Sequence, residues 1–173
     1  MKKMLCIVAA AALLLALTAC GTASKTKDTL TGTPAEVLAR VREASRADLA
    51  MTIDSEVVAK NAQRVLGLTG AQFTEYVDCA YAALSALTTT AQCNAVVKCK
   101  DAAAAVQVKK LIANGYDCDQ WTATVPEQCI AVESGSYVML AVGTAEATEA
   151  FARALENISG GNIGEPDVFF QEY

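Results

Sequence analysis

The sequence predicts an α+β fold in which a small, mostly antiparallel sheet carries helices packed on one face. Segments with apolar residues at helical spacing alternate along the chain with segments that follow the two-residue period of strands. Two strand-like runs at 129–133 and 137–142 are broken by Ser134-Gly135-Ser136, which indicates a hairpin. The length of 173 residues suits one domain with tails.

The composition excludes several classes of function. The chain has 14 Lys+Arg, 19 Asp+Glu and no histidine, so its formal net charge is −5. Without an imidazole there is no Ser-His-Asp or Cys-His catalytic unit and no His-ligated metal. An acidic chain with 19% charged residues also lacks the basic surface that nucleic acids require, so we expect no nucleic-acid partner.

The N-terminus has the features of an exported lipoprotein. A basic start precedes a 14-residue apolar run at 4–17, which is shorter than the roughly 20 residues of a membrane-spanning helix. The run ends in Leu17-Thr18-Ala19-Cys20, which resembles a bacterial lipobox. Cleavage between Ala19 and Cys20 would leave Cys20 as the first residue, with its thiol carrying acyl chains such as palmitate. An ordinary secretory peptide or an uncleaved anchor is the alternative.

This pattern divides the chain into four segments. We expect a lipoprotein signal peptide at 1–19, a lipidated flexible tether at 20–32, a single α+β domain at 33–159 and a C-terminal tail at 160–173. The tether is small and polar, without periodicity. The tail is rich in glycine and then in aromatic residues, and it is either loose or packs Phe169 and Phe170 onto the domain. The predicted location is the cell membrane, on its extracytoplasmic face.

The first half of the domain has one clear helix and one ambiguous segment. Thr33 and Glu36 form a predicted capping box, and an apolar face follows from residue 37. A second short helix is expected at 55–66, ended by Gly67. The segment 69–90 fits a helix or a strand equally well.

The second half alternates between strands and helices. Residues 92–100 have the alternation of a half-buried strand. Asp101 caps an alanine-rich helix that ends at Gly115, and Thr144 begins a final helix that ends at Gly160.

The hairpin defines the side chains that we expect to be buried together. Apolar residues occupy alternate positions in both of its strands. One buried face is therefore predicted from Ile130, Val132, Val138, Leu140 and Val142.

From Lys98 onward, the order of elements resembles the family described as domain of unknown function 4358. The most specific motif is Gly-Ser-Tyr-Val at 135–138 on the hairpin. It is accompanied by Lys98, Lys100 and Asp101 at the junction between a strand and a helix. The resemblance covers about residues 34–158.

The resemblance implies a strand at 76–83 that pairs with 92–100, which decides the ambiguous segment in favour of a strand. It also implies a small membrane-tethered lipoprotein with no established activity. Members of the family belong mostly to anaerobic Gram-positive bacteria. This chain departs from the family because it is rich in cysteine.

Five cysteines lie in the domain, and an odd number leaves at least one thiol free. Cys93 and Cys99 lie about 20 Å apart on one strand, so they cannot form a disulfide with each other. Cys118 and Cys129 flank a loop and are the most favourable pair. The favoured interpretation, however, is that all five are reduced and pack in an alanine-rich core.

Other motifs predict no cofactor and no metal. Zinc sites need closely spaced Cys or His ligands, which this chain lacks. Asp117 and Asp119 offer oxygens to calcium, but a solvated acidic loop is favoured. The glycine-rich segment 160–164 lacks the lysine and the preceding strand of a phosphate-binding loop, so it is interpreted as a helix cap and linker. Trp121 is expected to cover the edge of the sheet.

The leading hypothesis is a membrane-anchored, non-enzymatic binding or interaction module of the cell envelope. Its expected partners are the membrane, through the lipid on Cys20, and an unidentified envelope protein or small ligand. The alternatives are a structural or assembly accessory of an envelope complex, and a cysteine-dependent enzyme. The enzyme requires a reactive thiol in a cleft.

Overall fold

The computed structural model describes residues 30–47, 50–87, 89–121 and 123–171. The predicted signal peptide, Ala19, Cys20 and the predicted tether up to residue 29 lie outside these residues. The helices are α1 (Pro34–Ser45), α2 (Ala62–Leu66), α3 (Gly70–Tyr76), α4 (Ala102–Gly115) and α5 (Ala145–Ile158). The strands are β1 (Thr52–Val57), β2 (Val77–Ser85), β3 (Cys93–Cys99), β4 (Gln128–Ser134), β5 (Tyr137–Gly143) and β6 (Asp167–Gln171). A short 3-10 helix spans Cys118–Gln120.

The described strands form one antiparallel sheet in the order β1-β2-β3-β5-β4-β6. The α+β class and the antiparallel sheet are confirmed. The strand predicted at 76–83 is also confirmed as β2, and it pairs with β3 as expected. Among the described residues, no helix has the length and apolar character needed to cross a membrane.

Helices cover both faces of the sheet, so the expectation that they pack on one face was wrong. On the α4 face, buried residues of α2, α3 and α4 form one core with alternate residues of the strands. On the α1/α5 face, α1 and α5 form a second core with the intervening residues. The central strands are buried at nearly every position, and Val96 and Met139 are each only 1% exposed on the α1/α5 face. A sheet with apolar residues on both faces needs secondary structure packed against each face.

The predicted buried face of the hairpin was also wrong. Val132 pairs with Met139, and Ile130 pairs with Ala141. Cross-strand partners share a face, so Ile130 and Val132 belong to the α1/α5 face. Val138, Leu140 and Val142 belong to the α4 face. The short turn pairs Ser134 with Tyr137, which places even positions of β4 beside odd positions of β5.

The two edge strands differ from the sequence predictions. The helix expected at 55–66 is helical only over Ala62–Leu66, because Thr52–Val57 form β1 against β2. Residues 167–171 of the predicted tail pair with β4 as β6. Phe169 and Phe170 pack against the core of the α4 face, so the packed alternative for this segment is correct.

The predicted helix caps are confirmed. Thr33 and Glu36 form the capping box of α1, and the side chains of Asp101 and Thr144 cap α4 and α5. After α5, Gly160 has φ 67°, a left-handed conformation that favours glycine. The glycine-rich segment is therefore a helix end, as predicted.

Candidate functional site

The predicted lipidation site precedes a junction at residues 30–33 that is fixed to the domain. Leu30 is 2% exposed and belongs to the core of the α1/α5 face. Arg40 donates to the carbonyl of Thr31 at 3.2 Å, and Tyr137 Oη donates to the carbonyl of Gly32 at 2.7 Å. These contacts determine where on the domain surface the chain from Cys20 arrives.

A groove of about 430 Å³ opens beside this junction, and we call it the junction groove. Its walls come from the start of α1, the end of β1, α3 and the start of β2. Its apolar lining includes Pro34, Val57 and Phe73. Val58 also lines it and is 50% exposed, so apolar surface faces solvent here.

The charged residues that line the junction groove are two carboxylates, Glu56 and Asp78. Cys79 also lines the groove, and the pKa of its thiol is affected by the charges around it. Burial raises the pKa of Cys79, and the carboxylates of Asp78 and Glu56 raise it further against the opposing effect of Lys98. The groove therefore combines apolar walls with negative charge.

The residues on which the family resemblance rests form contacts between separate secondary-structure elements. Lys98 Nζ donates to Ser136 Oγ at 2.5 Å and lies 4.0 Å from the ring centroid of Tyr137. Ser136 is 6% exposed, which is too little for an accessible nucleophile. Because Tyr137 also holds the carbonyl of Gly32, this cluster connects the hairpin to the junction.

Lys100 and Asp101 act at helix ends. Lys100 Nζ donates to the carbonyls of Thr74 and Glu75, at 2.9 and 2.8 Å, in the last turn of α3. A cation near a helix C-terminus is favourable because it interacts with the unpaired carbonyls. Asp101 accepts from the backbone N–H of Ala104 at 2.7 Å and so caps α4.

The structure brings Cys118 and Cys129 together, with their Sγ atoms 3.6 Å apart as free thiols. Cys93 and Cys99 lie at opposite ends of β3 and are both buried on the α4 face. Cys79 is exposed.

Burial dominates the electrostatics of these thiols. It raises the pKa of Cys93 and that of Cys99 to about 12, and it raises the pKa of Cys129 as well. Burial also raises the pKa of Cys118, and the carboxylates of Asp119 and Asp117 add to that effect. A hydrogen bond from Cys129 opposes it.

We therefore expect every thiol of the domain to react with iodoacetamide at pH 7 more slowly than free cysteine does. The thiolate is the reactive species, and a raised pKa lowers its fraction at neutral pH. The rates should rise about tenfold per pH unit while the pH stays below the pKa. Cys79 should react first because it is exposed. Mass spectrometry of timed digests measures this, and one cysteine faster than free cysteine would favour the enzyme hypothesis instead.

A buried ion cluster was missed at the sequence level. Lys109 is 6% exposed, and its Nζ lies 2.8 Å from Glu133 Oε2 and 3.5 Å from Asp167 Oδ2. It also donates to the carbonyl of Glu165 at 2.6 Å. The cluster joins α4 to β4 and β6. The available signal was the helical spacing that places Lys109 between the buried residues of α4.

The alternative calcium site at Asp117 and Asp119 gains no support from the geometry. Asp117 Oδ1 accepts from the backbone N–H of Asp119 at 3.0 Å, which starts the 3-10 helix. Within the described ranges, no three Cys, Asp or Glu side chains are grouped as a metal site requires. Trp121 packs against the core of the α4 face and is partly buried.

Comparisons with protein-family models, with curated proteins and with solved structures found no match to this chain. The resemblance to domain of unknown function 4358 therefore stays a prediction that rests on the motifs quoted above.

Proposed function

We propose that this protein is a lipid-anchored, extracytoplasmic binding module of the cell envelope without enzymatic activity. The observation that carries the binding role is the junction groove, which opens where the chain from Cys20 joins the domain. The lipobox supports the anchor, because acyl chains on Cys20 would hold the domain at the membrane. The tether would then limit how far the groove can lie from the bilayer surface.

The chemistry of the groove favours an extended segment of an envelope protein that carries Lys or Arg beside an apolar side chain. Glu56 and Asp78 would attract the cation, and the apolar walls would receive its neighbour. The adjacent edge of β1 pairs with no other described strand, and Ile53 on it is 64% exposed. An extended segment could therefore add to the sheet by backbone hydrogen bonds.

The raised pKa values of the described thiols favour the binding role over that of a cysteine-dependent enzyme. A thiol that acts as a rapid catalyst is activated by a lowered pKa or a neighbouring base. Burial acts in the opposite direction at Cys93, Cys99 and Cys129.

Photo-crosslinking in intact cells tests the binding role. Benzoylphenylalanine at Val58, which lines the groove, should give a discrete crosslinked product with an envelope protein. The matched control is the same probe at Val106, another exposed valine, which is on α4 and outside the groove. Replacing both carboxylates, Glu56→Gln with Asp78→Asn, should reduce the Val58 product several-fold.

Two outcomes would contradict the proposal. Equal products from Val58 and Val106 would indicate random collisions rather than a site. If the Val58 probe instead gives no protein product, while a small molecule copurifies with the domain, the groove takes a small ligand and not a protein segment.

A further inference from the structure

The contact between Cys118 and Cys129 is supported from both ends of the loop that joins them. At the first end, Tyr116 is 8% exposed and packs edge-to-face on Phe169, with ring centroids 6.1 Å apart. At the second end, the backbone N–H of Glu127 donates to the carbonyl of Gly143 at 3.0 Å. The segments that carry the two thiols are thus held in place by contacts other than the thiols themselves.

The two cysteines differ in access to solvent. Cys129 is 0% exposed, and in the sheet it lies between Val142 and Phe170. Cys118 is partly exposed at the start of the 3-10 helix. An incoming reagent therefore reaches Cys118 first. Cys129 can react only with the disulfide that has formed on Cys118.

We infer that Cys118 and Cys129 form a thiol–disulfide exchange site in which Cys118 attacks first and Cys129 resolves. Their Sγ atoms, 3.6 Å apart, need to approach by only about 1.5 Å to reach bonding distance. An exported protein meets oxidants in an environment that permits disulfides. The inference rests on the extracytoplasmic location proposed above but not on the binding role.

The oxidant is a small-molecule or protein disulfide, RSSR. The thiolate of Cys118 attacks one sulfur of RSSR, which forms a mixed disulfide and releases RS⁻. The sulfur of Cys129 then attacks Cys118 Sγ, and its proton passes to the departing RS group, which leaves as RSH. The first RS⁻ takes up the proton that Cys118 gave to solvent. In total, two cysteine thiols are oxidised to one disulfide, and RSSR is reduced to two RSH.

The position of the two cysteines gives a direct assay on the full chain purified in detergent. No Lys or Arg lies between Lys110 and Arg153, so trypsin yields one peptide, 111–153, whose cysteines are these two. In a buffer of oxidised glutathione, followed by acid quench and alkylation, this peptide should lose two hydrogens and take no alkyl group. The melting temperature should rise by about 5–10 °C, because the disulfide closes a short loop.

Single variants test the order of attack. Cys129→Ser should accumulate a mixed disulfide of glutathione on Cys118, whereas Cys118→Ser should leave Cys129 as a thiol. Cys79→Ser is the matched control, and it should leave the loss of two hydrogens unchanged.

Two results would overturn the inference. The first is a wild-type peptide that takes two alkyl groups after treatment with oxidised glutathione. The second is mixed disulfide formation at Cys129 in Cys118→Ser to the same extent as at Cys118 in Cys129→Ser, which would contradict the order of attack.

Discussion

Cys20→Ala is expected to abolish lipidation of the protein completely. The thiol of Cys20 is the group to which the lipid would be joined, and alanine offers no nucleophile in its place. Each buried CH₂ of an acyl chain contributes about 0.8 kcal/mol to membrane affinity, so losing two chains removes nearly all of it. Phase separation in a detergent that clouds on warming measures the effect. The variant should move to the aqueous phase or remain as unprocessed precursor.

Cys6→Ala is the matched control for that variant. Cys6 lies inside the apolar run of the predicted signal peptide and is not part of the predicted lipobox. This variant should partition into the detergent phase at the same mature mass as the wild type. If Cys20→Ala also does so, the lipobox assignment is wrong.

Lys109→Met is expected to destabilise the domain by about 3–5 kcal/mol. The ammonium group of Lys109 lies against Glu133, whose side chain is 15% exposed, and donates to the carbonyl of Glu165. Methionine fills a similar volume but leaves the carboxylate buried without its cation and the carbonyl without its donor. Urea unfolding followed by circular dichroism measures the loss.

Two further variants separate charge from packing. Lys110→Met changes the neighbouring exposed lysine of α4 and should stay within about 0.5 kcal/mol of the wild type. Adding Glu133→Leu to Lys109→Met should restore part of the lost stability, since an apolar pair has no uncompensated charge. Equal losses for Lys109→Met and Lys110→Met would show that the ion cluster contributes little.

Local signals predicted the long helices well. Thr33, Asp101 and Thr144 each cap the helix that was expected after them, because a cap and an apolar face are both encoded within a few residues. The edge strands β1 and β6 were missed for the opposite reason. Their residues are largely polar or mixed, and the pairing with β2 and β4 comes from distant parts of the chain.

The second covered face could not be seen from alternation alone. Asn94 has the polar character of a solvent-facing position in β3, yet it is 2% exposed. The central strands are buried on both sides, and polar or small side chains on one side then look like an exposed face.

Among the candidate sites, the sequence predicted contacts between residues that are close along the chain but not contacts between distant elements. The proximity of Cys118 and Cys129 was predictable, because a short loop limits how far its ends can separate. The junction groove was not predictable, since Pro34, Val57 and Phe73 come from three separate elements. Lys109 was missed because its partners, Glu133 and Asp167, are brought to α4 only by the folded sheet.

The mass of the N-terminal peptide of the mature protein, isolated from membranes, tests the lipid anchor most directly. The lipobox predicts a peptide that begins at Cys20 and carries a diacylglyceryl group on the thiol, with residues 1–19 absent. A peptide that begins at Met1, or one that begins near residue 20 with an unmodified thiol, would contradict it.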